Sequence, residues 1–521
     1  MRHFIQRHQG QILGVLSGFD RMRFRGTLRL LTSVGGMMAF LSEVGVQLKD
    51  FMAYAEGITQ RLRKTTERLA EQAGRGVRYL ATMTRKDELI ARIRQQEGLA
   101  RDGLIAVLST LENCSSYDIY RDRAAQRIGL RQRPRKCLHY YFYFEHRLFG
   151  LTQVRLQTWF PFDVRVVLNG REWLARQLDA AGIGYLRRDN CFAEIDDFVR
   201  AQKLADQQPR IAWPGHLARL VARVHPLHQK LFAQCPGPYY WSIEQSEWAT
   251  DIAFRSAEAL GDLFPRLIHH GIETFASPDV MRFLGYKLPA HGGVHGRFAG
   301  EVVSDLRERP EGVRLRHRVG RNSVKMYDKY GTVLRVETTI NDVRGLRVFR
   351  RPADEPQGQR QWLPLRKGVA DMARRSQLSH AANGRYLEAL SAIDADTPLS
   401  RVADKLCRPV QDGRGRRHRA LNPLASDDAQ LLQAVSRGEF GITGLRNRDL
   451  RPALFGDAAT AEERRRQAGR ITRKLALLCA HGLIRKIPGT HRYLVTKEGL
   501  TAIPALLAAR NATLHQLIPA A

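Results

Sequence analysis

Long apolar runs are missing from this 521-residue chain: no stretch of about 18 hydrophobic residues occurs, so no membrane-spanning helix is expected. The basic segment Met1 to Gln11 leads into a short apolar stretch without a small-residue cleavage site, so no export signal is expected either. Cysteine is scarce. Six cysteines, at 114, 137, 191, 235, 407 and 479, stand far apart, and no C-x-x-C pair offers zinc ligands, which leaves reduced, structural thiols as the expectation. Acidic residues are in deficit, with 52 Asp and Glu against 84 Lys and Arg, a formal charge of +32. A hydrophobic content of 43% is that of a globular chain rather than a basic tail, so the charge belongs to folded surface. A polyanion is the natural partner, and the expectation is a cytoplasmic, nucleoid-associated protein that binds nucleic acid and no membrane.

The most informative stretch is Gly312 to Ile340, GVRLRHRVGRNSVKMYDKYGTVLRVETTI. Val313, Leu315 and Val319 lie on one face of a period-2 ribbon, with Arg314, Arg316 and Arg318 on the other. After Gly320, Val324 and Met326 alternate with Ser323, Lys325, Tyr327 and Lys329, and then Leu334, Val336 and Ile340 alternate with Arg335, Glu337 and Thr339. Tyr330-Gly331-Thr332 reads as a three-residue hairpin turn. One register keeps both apolar sets together: Lys329 opposite Val333, Tyr327 opposite Arg335 and Lys325 opposite Glu337. Tyrosine, lysines, arginine and glutamate then share an outward patch. Cations or a metal beside a phenol, whose ordinary pKa is about 10, would favour the phenolate and attack on a phosphodiester. A half-exposed tyrosine beside a cross-strand Lys–Glu pair is the plainer alternative. From Gly312 to Arg351 eleven Lys or Arg face three acids, as a phosphate-tracking surface requires.

The fold class expected is α+β: several domains with mixed or antiparallel sheets and packing helices, then a C-terminal winged helix. The boundaries read as an α+β region over 1–235, a β-rich catalytic and nucleic-acid-binding domain over 236–352, a basic helical linker over 353–424 and a final module over 425–521. Within the first region, residues 11 to 30 read as strand, turn and strand with Asp20 in the turn, where an acid is either a metal ligand or an ordinary turn residue. GLIAVLSTL and SYDIYRDR read as separate strands. The rings of Tyr140 to Phe144, next to Arg131, Arg133, Arg135 and Lys136, are candidates for base stacking or for core. In the second, YYWSIEQSEWATDIAF reads as a strand with Glu247, Ala249 and Asp251 on one side, and LPAHGGVHG as a loop carrying His291 and His295.

Over about 240 to 350 the chain resembles rolling-circle replication initiators of plasmids and phages, of the type that works with carboxylates and a tyrosine and lacks a histidine pair. WATDIAF resembles the strand that supplies an acid, NSVKMYDK the strand with the tyrosine, and LRVE the strand with a further carboxylate. The resemblance implies that Tyr327 attacks DNA, that Lys329 and Arg335 stabilise phosphate charge, and that Asp251 with Glu337 holds a divalent cation, Mg²⁺ or Mn²⁺. Glu247, on the same side of the strand as Asp251, is a further candidate ligand.

At the C-terminus, Ser426 to Arg437, Leu445 to Leu454 and Ala461 to His481 read as helices, and LIRKI and RYLVT as strands around Pro488-Gly489-Thr490. Over about 426 to 500 this order is similar to bacterial winged-helix modules. It implies a third helix in the major groove, presenting Arg466, Arg470, Arg473 and Lys474, and a wing whose Arg485, Lys486 and Arg492 touch the backbone. The functional expectation is a metal-dependent DNA nicking and joining endonuclease of a replicon or mobile element. The alternatives are a non-catalytic DNA- or RNA-binding regulator and a carboxylate-only nuclease that uses Asp20. DNA is the expected partner, RNA the alternative, and a homodimer is left open.

Overall fold

The computed structural model describes residues 1–521 except 81–84, 98–101, 123–125, 234–236, 276, 287–301, 353, 356, 392–398, 414, 436–444, 457 and 512–521. His291 and His295 lie outside the described residues. The sheet strands are β1 (Ile12–Thr27), β2 (Val77–Tyr79), β3 (Leu104–Asp122), β4 (Arg127–His146), β5 (Gly150–Gln157) and β6 (Val164–Asn169). A small hairpin, β7 (Tyr185–Arg188) and β8 (Cys191–Ile195), stands apart. The sheet continues with β9 (Tyr240–Phe254), β10 (Val302–Arg309), β11 (Gly312–Val319), β12 (Asn322–Lys329) and β13 (Val333–Ile340).

Eleven of these strands form one sheet in the order β10-β11-β12-β13-β9-β1-β6-β5-β4-β3-β2. Only β2 and β3 pair in parallel, so the fold is α+β with a mixed sheet. The seam between β1 and β9 runs from Ile12 opposite Phe254 to Thr27 opposite Tyr240. The expected boundary at 235/236 is therefore crossed by a continuous sheet. On each side of the seam the plan repeats: a long strand, then helices, then a four-strand antiparallel meander (β3 to β6, or β10 to β13) whose last strand returns to the first.

One face of this sheet is mainly apolar, with a few buried polar groups such as Thr250 and Thr338 bonded within it. Met22, Phe24, Phe142, Val154 and Val166 meet the helices Phe51–Gln72 and Trp213–Val224 in one core. Ile252, Met326, Leu334 and Val336 meet Ala257–Glu273 and Met372–Leu390 in another. The second of those helices falls in the expected linker, yet its buried Asn383 is bonded into the sheet: Nδ2 donates to Trp248 O (3.1 Å) and Val336 O (2.9 Å). The opposite face carries the charges. Helix Gly170–Ala180, which begins where β6 ends because Asn169 caps its first amides, lies over that face beside β1. Helix Lys86–Glu97 covers it at the β3 and β4 end, where Ile90 and Ile93 pack on Tyr141 and Tyr143.

Several local expectations change. GLIAVLSTL and SYDIYRDR are one strand, β3, because β4 pairs with it along almost its whole length and satisfies the polar ENCSS step between them. Tyr140, Tyr141, Phe142, Tyr143 and Phe144 are all buried, so none is a free stacking platform. The C-terminal unit has its own core. It comprises helices Ser426–Val435, Asn447–Phe455 and Ala461–Ala480 with a three-strand sheet in which Arg492–Val495 lies between Leu445–Arg446 and Ile484–Lys486. Among the described residues no helix is long and apolar enough to cross a membrane.

Candidate metal centre

The central hairpin has the register that alternation dictates, with Lys325 opposite Glu337, Tyr327 opposite Arg335 and Lys329 opposite Val333. Tyr330 and Gly331 take the left-handed conformation at the turn (φ 55° and 73°), and the Asp328 carboxylate accepts from the Gly331 amide at 3.0 Å. The polar side of the hairpin, however, is covered. The β7–β8 hairpin and Arg171 of helix Gly170–Ala180 close over it, and Arg335 is 0% exposed.

Asp20 is not in a turn. It lies within the single strand β1, at an irregularity where the register passes from Phe19 opposite Trp248 to Met22 opposite Ser246, leaving Asp20 and Arg21 opposite Glu247 alone. This bulge puts Asp20 beside two acids from the other side of the seam. Asp20, Glu247 and Glu337 each offer a carboxylate oxygen, all within 4.8 Å of one another. Such a set of hard oxygen donors can hold a metal ion.

Asp251, an expected ligand, is engaged elsewhere. Arg335 donates from Nε to Asp251 Oδ1 (2.6 Å) and from Nη2 to Oδ2 (2.9 Å), and Arg171 Nη2 lies 2.9 Å from the same carboxylate. Arg335 also reaches Asp20 Oδ2 from Nη1 (3.0 Å) and Asn190 O from Nη2 (2.6 Å), while Asn190 Nδ2 donates to Asp20 at 2.6 Å. Arg335 thus holds the carboxylates in place and is not open to a phosphate. Lys329 is buried and bonded to Glu311 at 3.2 Å. Lys325 donates to Glu337 at 2.7 Å and lies 4.0 Å from Glu247, which also accepts from Gln245 Nε2 at 2.8 Å.

These contacts decide the ionisation of the site. Four carboxylates (Asp20, Glu247, Asp251, Glu337) face three cations (Arg171, Lys325, Arg335), since Lys329 is matched by Glu311. Burial pushes Asp251 and Glu337 upward, but Arg171 and Arg335 on the first, and Lys325 and Arg335 on the second, outweigh it and hold both below the ordinary range. Burial raises Asp20, and Arg335 offsets it only in part. Glu247 takes the remainder: burial, then the charge of Glu337, pushes its carboxyl up to about 7. Within the buried set the acids outnumber the cations by one, with the exposed Arg21 offsetting Glu247 only in part, and a proton on Glu247 or a bound cation can supply the balance.

Tyr327 is 8% exposed, and burial together with Glu337 pushes its phenol up to about 12. The cations expected to favour the phenolate are already matched by Glu337, Glu311, Asp251 and Asp20, so the ring is not an ionised, open nucleophile. The outward guanidiniums are tied down as well: Arg314 is buried, and it and Arg316 pair with Asp305 at 2.8 and 2.7 Å, leaving Arg318 half-buried. In the C-terminal unit Arg466, Arg470, Arg473, Arg485 and Lys486 are exposed. Arg470 lies over Phe455, 4.4 Å from its ring centre, while Lys474 is half-buried near Asp427 (3.6 Å) and Arg492 is half-buried.

Of the two contributors outside the central hairpin and β9, one is legible in the sequence and one is not. Asp20 was legible as a candidate, and the adjacent Asp20-Arg21 pair, which cannot share one face of a regular strand, is the signal for the bulge. Arg171 carries no such mark, because only the tertiary fold brings the first turn of its helix against β9. Compared with known proteins, the chain matches no family model, no curated protein and no solved structure.

Proposed function

We propose that the protein is a nucleic-acid phosphodiesterase that depends on a divalent cation, Mg²⁺ or Mn²⁺, held by Asp20, Glu247 and Glu337. The observation that carries this reading is the buried acidic triad, one positive charge short, on a sheet face whose next positions are arginines: Arg21 and Arg23 on β1 and Arg165 on β6. The cation would polarise the phosphoryl group and acidify a bound water. Lys325, bonded to Glu337 and 4.0 Å from Glu247, is the counter-charge that a cation held by these acids would replace. Arg335 and Arg171 fix the carboxylates and stay in place. The exposed arginines of the C-terminal unit, Arg466, Arg470 and Arg473, with Arg485 and Lys486 on its hairpin, support a second contact to the nucleic-acid backbone in the manner of a winged helix.

The resemblance to nicking initiators sustains a second reading in which a rearrangement frees Tyr327. Incubation with labelled single-stranded and duplex DNA and RNA in Mg²⁺ or Mn²⁺ separates the two. Metal-dependent cutting that survives Tyr327→Phe and is lost in Glu337→Gln and Asp20→Asn is the expected result. A denaturation-resistant protein–DNA adduct abolished by Tyr327→Phe would favour the second reading. Binding without cutting, in any metal, would reduce the protein to a regulator.

A further inference from the structure

Two residues along β9 from Glu247, at the margin where the pairing of β13 with β9 ends at Ile340 and helix Met372–Leu390 approaches from the other face, the chain forms a second feature that the metal centre does not use. Gln245, the donor to Glu247, is also a wall of a cavity of about 430 Å³ whose charged lining is Arg23, Arg25, Arg165, Arg321, Lys367 and Arg375 against one acid, Glu244. Asp163 matches Arg25 and Glu244 matches Arg165 (3.2 Å). Among the described residues Arg23, Arg321, Lys367 and Arg375 have no ion-pair partner. Arg321 and Lys367 stand exposed at the rim.

Arg375 is the decisive group. It sits in the first turn of helix Met372–Leu390, is 1% exposed, and spends one N–H on the Ile243 carbonyl (3.3 Å), while its Nε and Nη2 are buried with no partner. A buried guanidinium without an anion is costly, and burial alone pulls it down to about 9. Its unpartnered edge lies behind the cavity wall rather than open to it, so Arg375 contributes positive charge to the cavity while Arg23, Arg321 and Lys367 offer the open donors. A volume within the usual range of ligand sites, about 300 to 1,000 Å³, admits a nucleotide unit. Among the described residues no aromatic ring lines the cavity, so it is built for charge rather than for a base.

We infer that this cavity is a phosphate-binding pocket that takes phosphate groups of a nucleic-acid strand next to the metal centre. The inference rests on the nucleic-acid reading above but not on catalysis. It is tested with full-length protein in chelator at low salt, where no cleavage occurs. Thymidine 3′,5′-bisphosphate and a non-cleaved oligonucleotide, with or without a 5′-phosphate, are titrated by calorimetry.

Saturable binding of the bisphosphate is expected, weakened about tenfold in Arg23→Gln and in the double rim variant Arg321→Gln/Lys367→Gln, at roughly 1.4 kcal/mol per factor of ten. Arg375→Gln, which removes the buried charge behind the wall, should also weaken binding, and Arg375→Lys, which keeps it, should recover part. The rim variants keep the inference testable should Arg375→Gln not fold. Glu337→Gln, which disables the metal centre, should bind the bisphosphate as wild type does, so failure of the metal reading and failure of the pocket are distinguishable. An oligonucleotide that needs its 5′-phosphate identifies a strand end as the source, and one that does not identifies internal phosphates. Absence of bisphosphate binding, or equal affinity in wild type and all pocket variants, overturns the inference.

Discussion

Removing the charge of Glu247 should make the metal-free protein more stable, and only at higher pH. The carboxyl rises from an ordinary 4.5 to about 7 in the fold, so the native state holds a proton that the unfolded state releases between those values. A raised pKa contributes stability that is fully present below about pH 4.5 and lost as pH climbs through about 7. At 1.36 kcal/mol per unit, the displacement amounts to about 3 kcal/mol above pH 7. Glu247→Gln keeps the shape, accepts from Gln245 as before, and has no charge to bury. Relative to wild type it should gain nothing near pH 4.5 and up to about 3 kcal/mol at pH 8. Urea unfolding in chelator, followed by tryptophan fluorescence, is the assay. It reports on the sheet because all six tryptophans precede residue 363. Adding Mn²⁺ in excess of the chelator should reverse the order, since the ion supplies the missing charge to wild type alone, at about 4.1 kcal/mol for a concentration one thousand times Kd. Wild type and Glu247→Gln with the same pH profile, or a variant less stable at pH 8, would refute the charge count on which the metal centre rests.

Three further outcomes follow from the same contacts. Arg335→Met should lower stability by about 3 to 5 kcal/mol at neutral pH by leaving Asp251 and Asp20 buried without their shared partner, and Asp251→Asn in the same chain should restore part of it, both read as urea midpoints. Asn383→Leu should cost about 2 to 3 kcal/mol, because the Thr338 hydroxyl, which donates to Asn383 Oδ1 at 2.7 Å, loses its acceptor in a dry layer. Arg473→Gln should weaken duplex binding evenly across sequences and flatten the plot of log affinity against log salt by about 0.9, measured by fluorescence anisotropy.

The hairpin was legible to the residue because its register depends only on local features: strict alternation on both strands and a turn with Gly331 at positive φ. What alternation could not show is whether the polar face meets water. Arg335, Glu337 and Lys329 read as exposed because they are charged, yet all three are buried: Arg335 is bonded to Asp20 and Asn190, 315 and 145 positions earlier, Glu337 to Lys325, and Lys329 to Glu311. The split of β3 into two strands failed for a related reason. Ser115 and Ser116 look like turn residues until β4 supplies their ladder partners, Pro134 and Arg133. The acids that could hold a metal ion are Asp20, Glu247 and Glu337 rather than Asp251, because Asp251 is closed off by two guanidiniums, Arg335 and Arg171, whereas Asp20 meets only one.

The site sits on the seam between the two repeated halves, and that position explains its chemistry. Each half alone would carry an incomplete set: Asp20 and Arg171 on one, Glu247, Asp251, Lys325, Arg335 and Glu337 on the other. Pairing β1 with β9 forces the two sets together at short range, and the bulge at Asp20 turns one more acid toward them than a regular ladder would. The crowding is therefore imposed by backbone pairing along the whole seam, which a few unfavourable side chains cannot reverse. Four acids are held against three cations in a nearly dry layer, where water cannot dissipate the imbalance. A site designed only for stability would be neutral, and Arg335 and Lys325 show how readily this sheet matches acids with cations. The one carboxylate left unmatched lies where the face opens toward Gln245 and the arginine-lined cavity, which is the side from which a cation and a phosphate could arrive together.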